Sequence, residues 1–344
     1  MKTEIKYGAI DIAKLLFAFG VVGLHTGLFL EKRWGFYLHD IIFRLGVPFF
    51  FLSSGYFLGR KTTIENKAQF LKKYIYKLIP LYLLWNAFYV PYGLIHYQCY
   101  SHYALLDGIW RTLIGKSATV MWFVGCLIWC VVILLHIKNE KKLPLITGIF
   151  AGLYVIGLFF NTYNWLFTGS DIDFLRQWLT NTFQSNSNFL FCGFYFVGCG
   201  YTMAKYPEPT WLRLQRDRIL VLICCGFFLL CETILVKGNL ATTVNHEYYL
   251  AHLLLIPVLF LFLRDLKLPS INTAAMRTLS SDVYYVHFLS IYAISLFSKN
   301  YPWSIFQTSL GSYCVILGLT LVICVVYIKI KHGINAVKYG TKVR

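Results

Sequence analysis

Two residues of the run DIAKLLFAFGVVGLHTGLF, Asp11 to Phe29, can do chemistry in an otherwise apolar stretch: Lys14 and His25. They lie 11 positions apart. At 100° per residue that is about 1100°, roughly 20° past three full turns, so a helix projects both from one face about 16 Å apart along its axis. A neutral imidazole can take a proton from a hydroxyl near pH 7, and an ammonium attracts phosphates. Other apolar runs carry Arg44, Glu232 (in CETILV) and His287, with His252 near the start of a further run. A guanidinium stabilises a developing oxyanion. A carboxylate such as Glu232 orients an imidazole or pairs with Arg44. The same residues also have structural uses: Lys14 can lift its ammonium to a nearby interface, and Arg44 and Glu232 can form an ion pair with each other.

Composition says what kind of element must hold these groups. Of 344 residues, 58% are hydrophobic and 14% charged, with mean hydropathy +0.59. A soluble domain carries about 25% charged residues, so the expectation is an all-α integral membrane protein, one polytopic domain over residues 1–344. The net charge of +17 would suit a nucleic acid. Here Lys and Arg sit in short segments between apolar runs, which is a topology signal and excludes that partner. Most of the cysteines lie inside apolar runs without zinc-ligand spacing and read as packing residues, so no metal is expected. Lys2 and Lys6 before an apolar run resemble a signal peptide, but the run is long and no A-x-A site follows it, so it reads as the first span.

Mostly apolar stretches of about 17–25 residues fit a bilayer. Ten occur, at 10–30, 38–58, 76–97, 117–137, 143–162, 186–204, 218–236, 248–264, 277–297 and 304–328. With the N-terminus inside, 23 of the 32 Lys and Arg fall in inner segments and 7 in outer ones, Lys14 and Arg44 lying within spans. That asymmetry predicts both termini in the cytoplasm. The longest outer loops, 98–116 and 163–185, are rich in aromatic and small polar residues (Trp165, Asp171, Asp173, Trp178, Asn181), a composition that suits an interfacial aromatic belt or a stacked sugar. At about 1.5 Å per residue, His25, Arg44, Glu232, His252 and His287 fall at outer to middle depth, where they can converge on one cavity. At the inner rim, the segment from Arg60 to Lys77 is strongly basic, and Lys73 and Lys77 share a helical face at i, i+4 spacing. They can grip a phosphorylated donor or simply obey the positive-inside rule.

These residues together resemble the acyltransferase-3 family of polytopic membrane acyltransferases. Lys14 and His25 match its first-helix pattern of a basic residue, ten residues and His. RLGVPFFFLSSGYFL (Arg44 to Leu58) resembles its second-helix signature, Lys73, Lys77 and Pro80 its approach to the third helix, and MWFV (Met121 to Val124) its fourth. SSDVYYVHFLSIY (Ser280 to Tyr292) is similar to the late helix that carries His287. The resemblance runs from residue 11 to about 292. It lacks the W-S-L-x-x-E-x-x-F-Y motif and the appended extracellular hydrolase-like domain, which points to the short branch. That branch includes the membrane half of serine-racemase-type resistance proteins and exopolysaccharide acyltransferases.

The resemblance implies a multi-pass bacterial cell-membrane enzyme. It would move an acyl group, most often acetyl, from cytoplasmic acyl-CoA to a hydroxyl of an extracytoplasmic or lipid-linked glycan. Lys14, Lys73 and Lys77 would bind the donor, His25 would be the general base and Arg44 the electrostatic stabiliser. His287 and Ser54 are secondary candidates, and depth matching adds Arg44 and Glu232 as company for His25. Membrane lipid and a glycan acceptor are the expected partners, and oligomerisation is left open. The competing expectation is a transporter of a small polar solute, an amino acid such as serine, or of a glycan, without chemistry.

Overall fold

The computed structural model describes residues 7–97, 120–183, 185–240, 246–268, 272–301 and 303–340, and no strand occurs among them. Lys2, Lys6 and the predicted outer loop 98–116 lie outside the described residues. In chain order the α-helices are α1 (Gly8–Thr26), α2 (Gly35–Ile41), α3 (Gly46–Lys61), α4 (Lys67–Tyr97), α5 (Trp122–His136) and α6 (Leu143–Phe159). They continue with α7 (Asp173–Phe183), α8 (Phe194–Lys205), α9 (Gln215–Gly238), α10 (His252–Asp265), α11 (Ala274–Asn300) and α12 (Ser309–Gly340). Helix lies over every one of the apolar segments predicted from sequence. Five stretches are long and apolar enough to cross a membrane: Gly8–Thr26, Gly35–Lys61, Glu140–Phe159, Gln215–Gly238 and Ser309–Lys329. The helix Trp122–His136 is apolar but shorter.

The helices fall into two compact units, Met1–His39 with Pro269–Arg344, and Asp40–Leu268. In the first, α1 packs against α11 and α12. Helix α1 stops where Gly27 takes φ +66°, a left-handed conformation that glycine adopts without strain, and donates its N–H to the carbonyls of Gly23 and Leu24. The following turn is tied down by a bond from Phe29 N to Ser309 Oγ at 2.9 Å. A side-chain hydrogen bond from Ser309 also holds the exposed Glu31 carboxyl below the usual carboxylate range.

The second unit is organised on α3 and α8. A Cβ added to Gly55 would lie 2.0 Å from Val197 O, and one added to Gly200 would lie 2.0 Å from Leu52 O. Gly59 faces Ala204 Cβ at 2.7 Å in the same sense. Gly55 and Gly59 form a G-x-x-x-G stripe, the arrangement that lets two helix backbones touch where hydrophobic exclusion from lipid supplies no drive.

Within α10, Pro257 has no N–H for the carbonyl of Leu253 four residues before it. Tyr195 of α8 donates its hydroxyl to that same oxygen at 2.6 Å, so a neighbouring helix supplies what the ring removed. Where α9 begins and α10 ends, buried Arg218 donates to Leu212 O (2.6 Å), Leu261 O (3.0 Å), Asp265 (2.6 Å) and Glu208 (2.6 Å). Burial raises the Asp265 carboxyl, but bonds from Arg264 and Arg218 outweigh it and leave the group below its ordinary range.

Part of the predicted outer loop 163–185 forms α7, an amphipathic helix with Phe174 71% and Trp178 57% exposed. Asp173 at its start accepts bonds from Arg176 and from Gln177 (2.9 Å), which keep its carboxyl below the usual range. The described cysteines are free thiols, and Cys126, Cys130 and Cys192 are buried as packing residues. Gly193 lies so close to Cys126 that an added Cβ would sit 2.2 Å from its sulfur.

Replacing Gly55 by Leu has no room to succeed by side-chain adjustment, because the obstacle is the Val197 backbone. Overpacking of this kind costs about 1–3 kcal/mol or more. Gly55→Leu is expected to lower the thermal unfolding midpoint in detergent by several degrees. Gly148→Leu is expected to leave it unchanged, since an added Cβ there meets nothing within 4 Å.

Candidate active site

The sequence candidates divide between the two units, and each group has its own geometry. In the first unit, α1 is continuous from Gly8 to Thr26, so Lys14 and His25 do share a face. In its first turn Asp11, 1% exposed, accepts from Arg277 Nε and Nη2, both at 2.9 Å, and from Thr273 Oγ1 at 2.7 Å. Lys14, one turn further on, lies within electrostatic reach of both Asp11 and Arg277. At the other end, the exposed ring of His25 lies 5.4 Å from that of His287, centroid to centroid, with the planes inclined by 33°. Phe288 meets His25 edge-on at 6.0 Å. His287 is wholly buried, and its Nδ1 lies 3.1 Å from Val283 O and 2.8 Å from Tyr284 O. The structure therefore brings Lys14 to a charged cluster and His25 to a second imidazole.

In the second unit, Arg44 does not pair with Glu232, which corrects one of the two structural readings of these residues. A nearer carboxylate wins: Asp40, four residues earlier, takes Arg44 Nε in an ion pair. Asp40 also accepts from the Tyr249 hydroxyl at 2.6 Å, and His246 Nε2 lies 3.9 Å from it. Glu232 accepts from the Tyr163 hydroxyl and from the backbone N–H groups of Leu250 (3.1 Å) and Ala251 (2.9 Å). It holds the amides that lead into α10, as an anion does at a helix start. The same segment is fixed by Thr162 donating to Tyr248 O and Tyr154 donating to Tyr249 O, each at 2.8 Å. Glu232 therefore shapes the backbone instead of orienting an imidazole.

Ser54 Oγ donates to Phe50 O at 2.7 Å, a bond inside its own helix that occupies the hydroxyl proton. Lys73 and Lys77 stand exposed on α4. His252 is fully buried, its Nδ1 3.4 Å from Tyr249 N. An apolar cavity of about 170 Å³ under α7, lined by residues such as Phe159, Phe160 and Leu179, contains none of the candidates. Among the described residues, no group of three or more His, Cys, Asp or Glu could hold a metal ion.

Sequence reasoning missed Asp40, Tyr163, Tyr249 and Arg277. The i, i+4 spacing of Asp40 and Arg44 could have revealed the first. Nothing local announces the others, whose partners lie far away in the chain.

Residues 7–329 match the sequence profile of a family described as "Acyltransferase domain". The chain is 23% identical over 340 residues to an "Amino-acid racemase" of Enterococcus faecalis, covering 96% of this chain and 47% of that protein. It is 25% identical over 349 residues to a "Serine/alanine racemase" of Enterococcus gallinarum, covering 99% and 48%. The chain thus spans about half the length of the curated relatives it matches. No solved structure matches it.

Glu232→Ala would strand the Tyr163 hydroxyl and two amides. Bonds to a charged group contribute about 1.5–3 kcal/mol each, so thermal unfolding in detergent is expected to show a loss of about 3 kcal/mol or more. The double change Lys73→Ala with Lys77→Ala, at exposed positions, should stay within about 0.5 kcal/mol of wild type.

Proposed function

The chain belongs to the acyltransferase-3 family, and on that premise we propose that it is a membrane O-acyltransferase. It moves an acyl group, acetyl by preference, from cytoplasmic acyl-CoA to a hydroxyl of an extracytoplasmic or lipid-linked glycan. The observation that carries this reading is α1 itself, one unbroken helix with a cation near one end and an exposed imidazole in its last turn, on one face. In the proposed topology the ten apolar segments all cross the membrane and both termini are cytoplasmic, which puts Lys14 on the donor side and His25 towards the acceptor.

In the proposed mechanism His25 removes the proton of the acceptor hydroxyl as its oxygen attacks the thioester carbon. The C–S bond breaks and the proton leaves with the coenzyme A thiol. The carbonyl end of α1 favours the positive charge that the ring acquires, by about 0.3–1 kcal/mol. Lys14 attracts the donor phosphates, and Lys73 and Lys77 add exposed positive charge. The charge of Arg44 is already paired with Asp40, so it enters no step here.

In a second reading these helices carry a small amino acid such as serine across the membrane, and only the class of solute is suggested by the curated relatives, which are named as racemases of amino acids. Uptake of labelled serine into proteoliposomes, set against transfer of label from acyl-CoA, separates the two.

His25→Ala is expected to keep expression and unfolding temperature while lowering glycan acylation in cells by 10²-fold or more. Acylation at the wild-type level in that variant would end the general-base role. Lys14→Ala is expected to weaken acyl-CoA binding in detergent several-fold, and Lys299→Ala to leave it unchanged. Equal effects would assign Lys14 to interfacial anchoring alone.

A further inference from the structure

His287 is held in one tautomer by its own helix. Its Nδ1 lies within hydrogen-bond distance of two carbonyl oxygens, those of Val283 (3.1 Å) and Tyr284 (2.8 Å). Carbonyls only accept, so Nδ1 carries the proton and Nε2 presents a lone pair. The side chain is 0% exposed, and among the described residues Nε2 meets no hydrogen-bond partner. Leaving a buried polar atom unsatisfied costs about 1–3 kcal/mol, and such an atom calls for a reason. Three rings lie near the His287 ring, His25 at 5.4 Å, Tyr284 at 6.0 Å and Phe288 at 6.5 Å between centroids. Of these, His25 is the ring that gains a proton, and with it a need for an acceptor, in the course of the proposed reaction.

We infer that His287 is a positioning residue for His25. When His25 takes the acceptor's proton at one ring nitrogen, the N–H of its other nitrogen turns onto Nε2 of His287. That bond fixes the ring and stabilises the imidazolium. No proton passes to His287: it moves from the acceptor hydroxyl to His25 and leaves with the coenzyme A thiol as the C–O bond forms and the C–S bond breaks. The rings are not bonded at rest, and catalytic hydrogen bonds are commonly looser before substrate binds. The inference rests on the base role proposed for His25. It goes beyond that role in giving the buried histidine a fixed tautomer and a task.

The test is steady-state turnover of purified protein in nanodiscs, with radiolabelled acetyl-CoA as donor and lipid-linked oligosaccharides extracted from the host membrane as acceptor. His287→Phe is expected to lower kcat by about 10²-fold while KM for acetyl-CoA stays within twofold. His287→Gln, whose amide oxygen can stand where Nε2 stood, is expected to return kcat to within about tenfold of wild type. His287→Asn, which reaches only the Nδ1 position, should not. A kcat for His287→Phe within twofold of wild type would overturn the inference. If His287→Phe fails to give a monodisperse protein, the Gln and Asn variants decide, and equal kcat values in those two overturn it. Wild-type kcat in His25→Ala, or no transfer by the wild-type protein, would instead sink the reading on which the inference stands.

Discussion

A backbone carbonyl in an apolar medium needs a donor from the protein, and much of this fold can be understood as meeting that need. Helices do so internally until something interrupts them. Pro257 interrupts α10, and the Tyr195 hydroxyl takes the carbonyl that the ring leaves open. Another break comes before α10, where the amides of Leu250 and Ala251 point at Glu232. Because these repairs come from other helices, they also fix how α8, α9 and α10 stand against one another. The glycine contact between α3 and α8 works by the opposite means, removing side chains so that two intact backbones can meet.

The ionisable groups obey the same constraint at higher cost. Asp11 is nearly wholly buried and has both oxygens occupied, by Arg277 and Thr273. Asp40 is likewise satisfied by Arg44 and Tyr249. Against this background, Nε2 of His287, like Nε2 of His252, is a buried polar atom that meets no hydrogen-bond partner among the described residues.

The helices were legible in the sequence because apolar runs of about 20 residues mark them, and five stretches are long and apolar enough to cross a membrane. The pairing of Lys14 with His25 on one face was legible too, since it needs only the helical period and an unbroken helix. The partner of Arg44 was readable in principle at i, i+4 but was sought on a distant helix, in Glu232. The G-x-x-x-G stripe of Gly55 and Gly59 was also in plain sight, yet only the structure shows which backbone it receives. Tyr163, Tyr249 and Arg277 were out of reach because their partners lie 69, 209 and 266 residues away. Helix α7 hid in a stretch too polar to read as a span and too short to announce itself by period.

The first unit is assembled from the two ends of the chain, and that gives the protein a history as well as a shape. Asp11 and Arg277 are 266 residues apart. At ribosomal speeds of about 5–20 residues per second, the carboxylate waits roughly ten to fifty seconds for its guanidinium. During that interval Lys14, one turn away, offsets the charge. The unit from Asp40 to Leu268 is contiguous and has all its own partners before α11 is made. The helix that bears His25 is thus made before the second unit and gains its partners after it. Nascent chains lacking α11 have neither Arg277 for Asp11 nor His287 for His25, so on the proposed function turnover waits for the late helices.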